Sequence, residues 1–170
     1  LTGERLVAAA RQQVGKTTVY DPAYVVLAYP DGDVPTERGV CTDVIVRAFR
    51  EAFSIDLQML VHRDMTSNFS SYPRTWGLTK PDRNIDHRRV GNLQAFFKRK
   101  RCALRAPDHS TMFQPGDLVT CTVPPNLPHI MLVSDKLVDG RPMVIHNIGS
   151  GTKEEDCLLT YPLTGHYRWK

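Results

Sequence analysis

The sequence predicts an α+β fold, with N-terminal helices packed on a C-terminal antiparallel β-sheet. Three observations carry this. Apolar residues recur at helical spacing through roughly the first hundred positions. From Phe113 onward, short β-rich runs alternate with turn signals. No linker, internal repeat or low-complexity segment divides the two halves, so the 170 residues read as a single domain over 1–170.

The elements follow in order. Leu1 to Val14 reads as a helix ending at Gly15, with Leu6, Val7, Ala10 and Val14 along one side. Tyr20 to Arg38 is loop-rich, punctuated by Asp21-Pro22, Tyr29-Pro30-Asp31-Gly32-Asp33 and Val34-Pro35. A second helix starts at Cys41 and carries Ile45, Ala48, Phe49, Ala52 and Phe53 on one face. Leu57 to Phe69 is a further helix. Ser70 to Arg89 is an ordered surface loop broken by Pro73, Gly77 and Pro81, and Gly91 to Arg101 is the last helix. Strands are expected at Leu118 to Val123, Ile130 to Ser134, Met143 to Ile148, Leu158 to Tyr161 and His166 to Trp169.

Composition bounds the function. No apolar run reaches the roughly 20 residues a membrane-spanning helix needs. The net charge is +4, partly from Lys98-Arg99-Lys100-Arg101. That cluster suits the negative end of its helix, or contact with an anionic polymer. Nucleic acid is the weaker partner, because no basic stripe interleaves with stacking aromatics. Of the four cysteines, Cys41, Cys102, Cys121 and Cys157, none forms a C-x-x-C pair, which argues against structural zinc. Three buried thiols besides Cys41 are preferred over a Cys102–Cys157 bridge. The sequence begins at Leu1 rather than methionine. It is therefore expected to have lost its start, so a signal peptide would not be visible.

The chemistry centres on Cys41. A cysteine in the first turn of a helix sits at the positive end of the helix dipole, which is expected to favour thiolate. The alternative is a small buried apolar residue. His129 opens a strand that should pair with the one launched by the Pro115-Gly116-Asp117 turn, placing the imidazole on backbone rather than on a mobile loop. His146 and Asn147 compete to orient that imidazole, since neighbours on a strand face opposite ways. A two-residue turn at Asp139-Gly140 would set Val133 opposite His146. A wider loop over Lys136 to Asp139 would set His129 there. Substrate-contact candidates are Tyr29, Asp43, His87, Arg88 and Asn147. His87 can join Arg88 and Arg89 around a substrate carboxylate, or belong to an ion-paired loop. Asp43 can serve the helix N-terminus or position the loop. His166 reads as a packed strand residue, and His62 and His109 as surface residues.

Cys41-Thr42-Asp43 at a helix start, Pro115-Gly116-Asp117-Leu118 before a strand, His129-Ile130-Met131-Leu132-Val133 and Val144-Ile145-His146-Asn147 occur in an order that resembles the NlpC-type branch of papain-like cysteine hydrolases. A likeness over nearly the whole chain is to a YijF-like bacterial family of domains of unknown function. It rests on Tyr29 to Pro35, Gly39 to Asp43, Asn84 to Val90, Val144 to Gly149 and Gly165 to Arg168. The NlpC-type pattern usually reads Asp-Cys-Ser-Gly, where this chain has Val40-Cys41-Thr42-Asp43. The resemblance implies a papain-like, monomeric peptidoglycan hydrolase of the periplasm or cell exterior. It would be a cysteine amidase or endopeptidase cutting amide bonds in or near the stem peptide, with Cys41, His129 and His146 catalytic and no cofactor required. A non-catalytic cell-wall or protein binding module on the same fold, or an acyltransferase or effector-type amidase, is the alternative.

Overall fold

The computed structural model describes residues 1–170. Its helices are α1 (Thr2–Arg11), α2 (Cys41–Phe53), α3 (Leu57–Asn68) and α4 (Val90–Arg99). Two short parallel strands, β1 (Val19–Tyr20) and β2 (Arg38–Gly39), lie just before α2. The main sheet is built from β3 (Leu118–Val123), β4 (Leu127–Val138), β5 (Arg141–Asn147), β6 (Thr152–Glu155) and β7 (Leu163–Tyr167). All its pairings are antiparallel, in the spatial order β6-β5-β4-β3-β7. The expected α+β architecture, helices first and sheet second, is therefore present.

The helices bury their apolar sides against one face of the sheet. Leu6 and Val7 of α1, Ile45 and Phe49 of α2, Leu57 and Val61 of α3, and Phe96 and Phe97 of α4 pack with Leu118, Ile130, Leu132 and Ile145. Each fully buried aromatic or aliphatic side chain here contributes roughly 1.5–3 kcal/mol. α2 is the central helix and is covered on more than the one expected face: Val44 and Val46 are buried too, while Phe53 is only partly so. It ends at Ser54 in the left-handed conformation (φ 54°), with Ser54 N–H donating to Arg50 O and Ile55 N–H to Phe49 O. α3 starts where Asp56 accepts the Gln58 amide at 3.1 Å. A smaller cluster, Val119, Cys121, Met131, Val133, Val144 and Leu158, fills the other face of the sheet.

The Pro115-Gly116-Asp117 turn launches β3, and β3 pairs with β4 as expected, Cys121 standing opposite His129. The turn also receives α1. Gly116 has φ +86°, and a Cβ on it would stand 2.3 Å from Gly3 Cα, so both positions need glycine for the close approach. Asp117 anchors the sheet's far edge. Its carboxylate accepts from His166 Nε2 at 2.6 Å and from Arg168 Nε and Nη2 at 2.7 and 2.8 Å. His166 is thus the packed strand residue anticipated.

Three expectations need correction. Leu158 to Tyr161 is a turn, with Thr160 N–H bonded to Cys157 O, because Leu158 plugs the outer cluster at a corner ahead of Pro162. The missing strand is the polar β6, an edge strand paired on one side only. The end of the Ser70–Arg89 loop is not surface: Asp86, His87 and Arg88 form a buried 3₁₀ turn. The cysteines are free, as preferred, with Cys102 in the helical core and Cys157 against the opposite face of the sheet, but Cys157 is half-buried rather than buried. Elsewhere α1 closes at Arg11, a turn earlier than expected, and α4 begins one residue earlier, at Val90. No helix is long and apolar enough to cross a membrane.

Candidate active site

Cys41 is the first residue of α2, as the helix-start pattern requires. The loop before it is pinned on several sides. Asp43 Oδ2 accepts the Val40 amide at 2.7 Å, capping the helix. The same carboxylate receives Arg88 Nε and Nη2 at 3.1 and 2.9 Å, a buried two-point ion pair. Thr42 Oγ1 donates to Arg88 O, and Asn147 Nδ2 donates to Gly39 O at 3.2 Å. Asn147 Oδ1 in turn accepts the Gly151 amide at 3.1 Å. Asp43, Arg88 and Asn147 therefore hold the Cys41 loop rather than reaching into solvent.

The backbone amides of Ile130, Thr42 and Cys41 favour the charged form of the sulfur. Burial nevertheless pushes the thiol up to about 11, and the nearby Asp43 charge adds to the effect. This reverses the expectation drawn from the helix dipole. The dipole stabilises an anion only where enough polar surroundings replace the lost water, and Cys41 is 5% exposed. The resting group is a neutral thiol.

Ile130 turns its side chain into the helical core with Cys41, so its strand neighbour His129, set opposite Cys121 of the outer cluster, leaves the other face of the sheet. Of the two competing neighbours on β5, Asn147 takes the Cys41 side and His146 the side of His129. His129 Nε2 lies 2.8 Å from His146 Nδ1, and His146 Nε2 lies 2.7 Å from Glu155 Oε2. This chain fixes its own proton positions. A carboxylate only accepts, so His146 Nε2 is the donor to Glu155. The neutral His146 then has an acceptor Nδ1, and His129 must donate from Nε2. The free lone pair of His129 is left on Nδ1. Burial, followed by the neighbouring His146, pushes the His129 pKa down to about 3. Burial also lowers that of His146, with Glu155 opposing it. The thiol and His129 are not hydrogen-bonded to each other.

The hairpin joining the two histidines takes neither anticipated register. The tight Asp139-Gly140 turn is present, both residues having positive φ (49° and 78°). Ser134, Asp135 and Lys136 of β4 then bulge against Met143 alone, shifting the ladder so that Val133 pairs with Val144. Continued along that ladder, Met131 stands across from His146, and His129 reaches it diagonally.

A cavity of about 230 Å³ opens beside Cys41, lined by Tyr20, Val40, Trp76, Ile85, Arg88, Arg89 and Pro128 among others. Tyr29 does not line it. Its ring packs edge-on against His62 at 5.2 Å and under Arg83 at 5.0 Å, and Tyr20 takes the cleft position instead. His87 is buried with an unpartnered Nδ1 and does not line the cavity. Burial pushes its pKa down to about 4, the neutral form. Three site features went unseen in the sequence. Glu155 sits in the wholly polar run Thr152 to Asp156, which has no apolar alternation, and its only signal is the Gly149-Ser150-Gly151 turn before it. Tyr20 and Trp76 come from loops, where no periodicity marks a cleft residue.

The chain matches the family model described as Domain of unknown function (DUF1287) over residues 7–169. It is 52% identical over 161 residues to the Uncharacterized protein YijF of Escherichia coli (strain K12), covering 94% of this chain and 78% of that protein.

Proposed function

The chain belongs to the DUF1287 family, and from the geometry of its cleft we propose that it is a cysteine amidase or endopeptidase cutting amide bonds of bacterial cell-wall peptidoglycan. What supports the reading is Cys41 at the first turn of α2, open to a cavity, together with the Glu155–His146–His129 chain of hydrogen bonds on the neighbouring strands. A papain-like, NlpC-type description of the fold, a periplasmic or extracellular location and action as a monomer belong to the same proposal.

Cys41 and His129 are both neutral at rest, so the reaction runs by general-base catalysis. His129 Nδ1 takes the thiol proton as Sγ attacks the amide carbonyl. The carbonyl electrons move onto oxygen, where backbone amides at the α2 start stabilise the charge. The intermediate collapses to a thioester, and the imidazolium gives its proton to the departing amine. Water then attacks the thioester with His129 again as base, releasing the carboxylic acid and restoring the thiol. His146 carries part of the positive charge that forms on His129, and Glu155 stabilises it in turn.

A non-catalytic binding module on the same fold is favoured by one observation, the buried and upward-shifted thiol. Digestion of purified peptidoglycan separates the two readings. The hydrolase releases fragments of defined mass, and release stops in Cys41→Ala and falls about 10²–10⁴-fold in His129→Ala. A wild-type protein that binds peptidoglycan and releases nothing is the module.

A further inference from the structure

The cavity beside Cys41 holds two guanidinium groups, and only one of them is committed within the protein. Arg88 is buried and fully engaged by Asp43. Arg89 lies half-exposed with its guanidinium 4.4 Å from the Trp76 ring centroid, a stacked position that fixes its plane. It forms no salt bridge, and its Nη1 is shut off from water without a hydrogen-bond partner. Two carboxyls feel its charge without forming a salt bridge with it. Asp82 accepts from the Tyr24 hydroxyl at 2.7 Å and the Asn84 amide at 2.9 Å, while Asp86 accepts the Asp82 amide with one oxygen and leaves the other without a partner.

The surroundings raise the positive potential at this point. Arg89 is the N-cap of α4 and provides no side-chain cap, and the next two residues, Val90 and Gly91, line the same cavity. The partial positive charge of a ten-residue helix therefore adds to that of the guanidinium. The rest of the wall is largely apolar, with Pro22, Val40, Ile85 and Pro128 contributing. An unpaired, oriented, partly desolvated guanidinium in an apolar pocket is a receptor for a planar anion, which it can grip through two parallel N–H bonds.

We infer that this cleft selects substrates bearing a carboxylate close to the bond attacked, and that Arg89 is the specificity residue that binds it. The inference rests on the reading of Cys41 as the nucleophile. It narrows the substrate to acidic peptides or peptide-like amides whose free carboxylate lies within a few bonds of the scissile carbonyl.

Paired thiol reagents test this without requiring turnover. Cys41 is alkylated in the full chain with iodoacetate against iodoacetamide, and with maleimidopropionic acid against N-ethylmaleimide. Rates are read on the Cys41 peptide by mass spectrometry. Both members of a pair attack the same thiolate, so their rate ratio cancels the thiol's pKa. In the wild type the anionic-to-neutral ratio of at least one pair should exceed that of N-acetylcysteine by about tenfold, the effect of one charge-assisted contact. Arg89→Gln should return the ratio to the free-thiol value, and Arg89→Lys should retain part of it. Unchanged rates with the neutral reagents show that the variant cleft is intact. The inference is overturned if both wild-type ratios match N-acetylcysteine, if Arg89→Gln leaves them unchanged, or if no reagent reaches Cys41. A hydrolase reading that fails on its own shows differently: the ratios behave as stated while peptidoglycan yields no fragments.

Discussion

Backbone amides at the α2 start favour the Cys41 thiolate, yet burial keeps the proton on the sulfur and pushes its pKa to about 11, while burial holds His129 near 3. Neither group titrates between those limits, which has a direct kinetic consequence. The active form, neutral thiol with neutral imidazole, persists across the working range. The pH profile of kcat/KM should therefore be flat from about pH 5 to 8, and limbs near 6 and 8 would instead signal a thiolate–imidazolium pair. Glu155→Gln removes the carboxylate that supports His146. It should lower kcat about tenfold, or ~1.4 kcal/mol, with the thermal midpoint little changed, because Glu155 is 40% exposed. Cys41, His129 and His146 were legible because each sits at a readable landmark: a helix start, or a strand next to a turn. Their protonation was not. It depends on how much water the fold removes, which residue order does not reveal.

Ser134 shows how an element can set the geometry of a site it does not touch. It is 1% exposed, accepts the Lys136 amide at 3.0 Å and Arg11 Nη2 at 3.2 Å, and donates to Glu154 Oε2. These bonds hold the bulge that slides β4 along β5 and brings His129 diagonally to His146. Ser134→Ala leaves those partners short of a hydrogen bond. It should cost about 1–3 kcal/mol in urea unfolding and should also reduce turnover, since the register loses its brace. An equally destabilising Leu158→Ala in the outer cluster should leave turnover of the remaining folded protein intact. The turn residues Asp139-Gly140 were readable from sequence, whereas the bulge was not. Nothing in Ser134-Asp135-Lys136 distinguishes a bulge from a regular strand end until Arg11 and Glu154, from distant elements, arrive to hold it. The edge strand β6 was missed for a related reason, because its polar residues are stabilised by partners elsewhere rather than by an apolar face.

Across the whole molecule, ionised groups join the helical half to the sheet. Burial pushes the Glu154 carboxyl up, but hydrogen bonds from Arg11, Ser134 and Lys136 outweigh it and hold the pKa at about 2. Asp117 is likewise held down: its burial is outweighed by Arg168 and His166. Both folded-state values lie below those of the unfolded chain, so their stabilisation is complete above roughly pH 5 and is lost as the pH falls towards 2. Urea midpoints should fall steadily over that window, and Glu154→Gln should flatten the slope while lowering the plateau. The α+β plan was legible because helical and strand periodicities occupy separate halves. The clamp between the halves was not, since Arg11 and Glu154 lie 143 residues apart. The central proposal is that Cys41 attacks an amide carbonyl and carries the acyl group. Acid-quenching the wild-type protein during digestion of soluble peptidoglycan fragments, followed by peptide mapping, tests it most directly. The expected result is a hydroxylamine-labile fragment mass on the Cys41 peptide and none on Cys102, Cys121 or Cys157. Fragment release at the wild-type rate by Cys41→Ala would contradict the account.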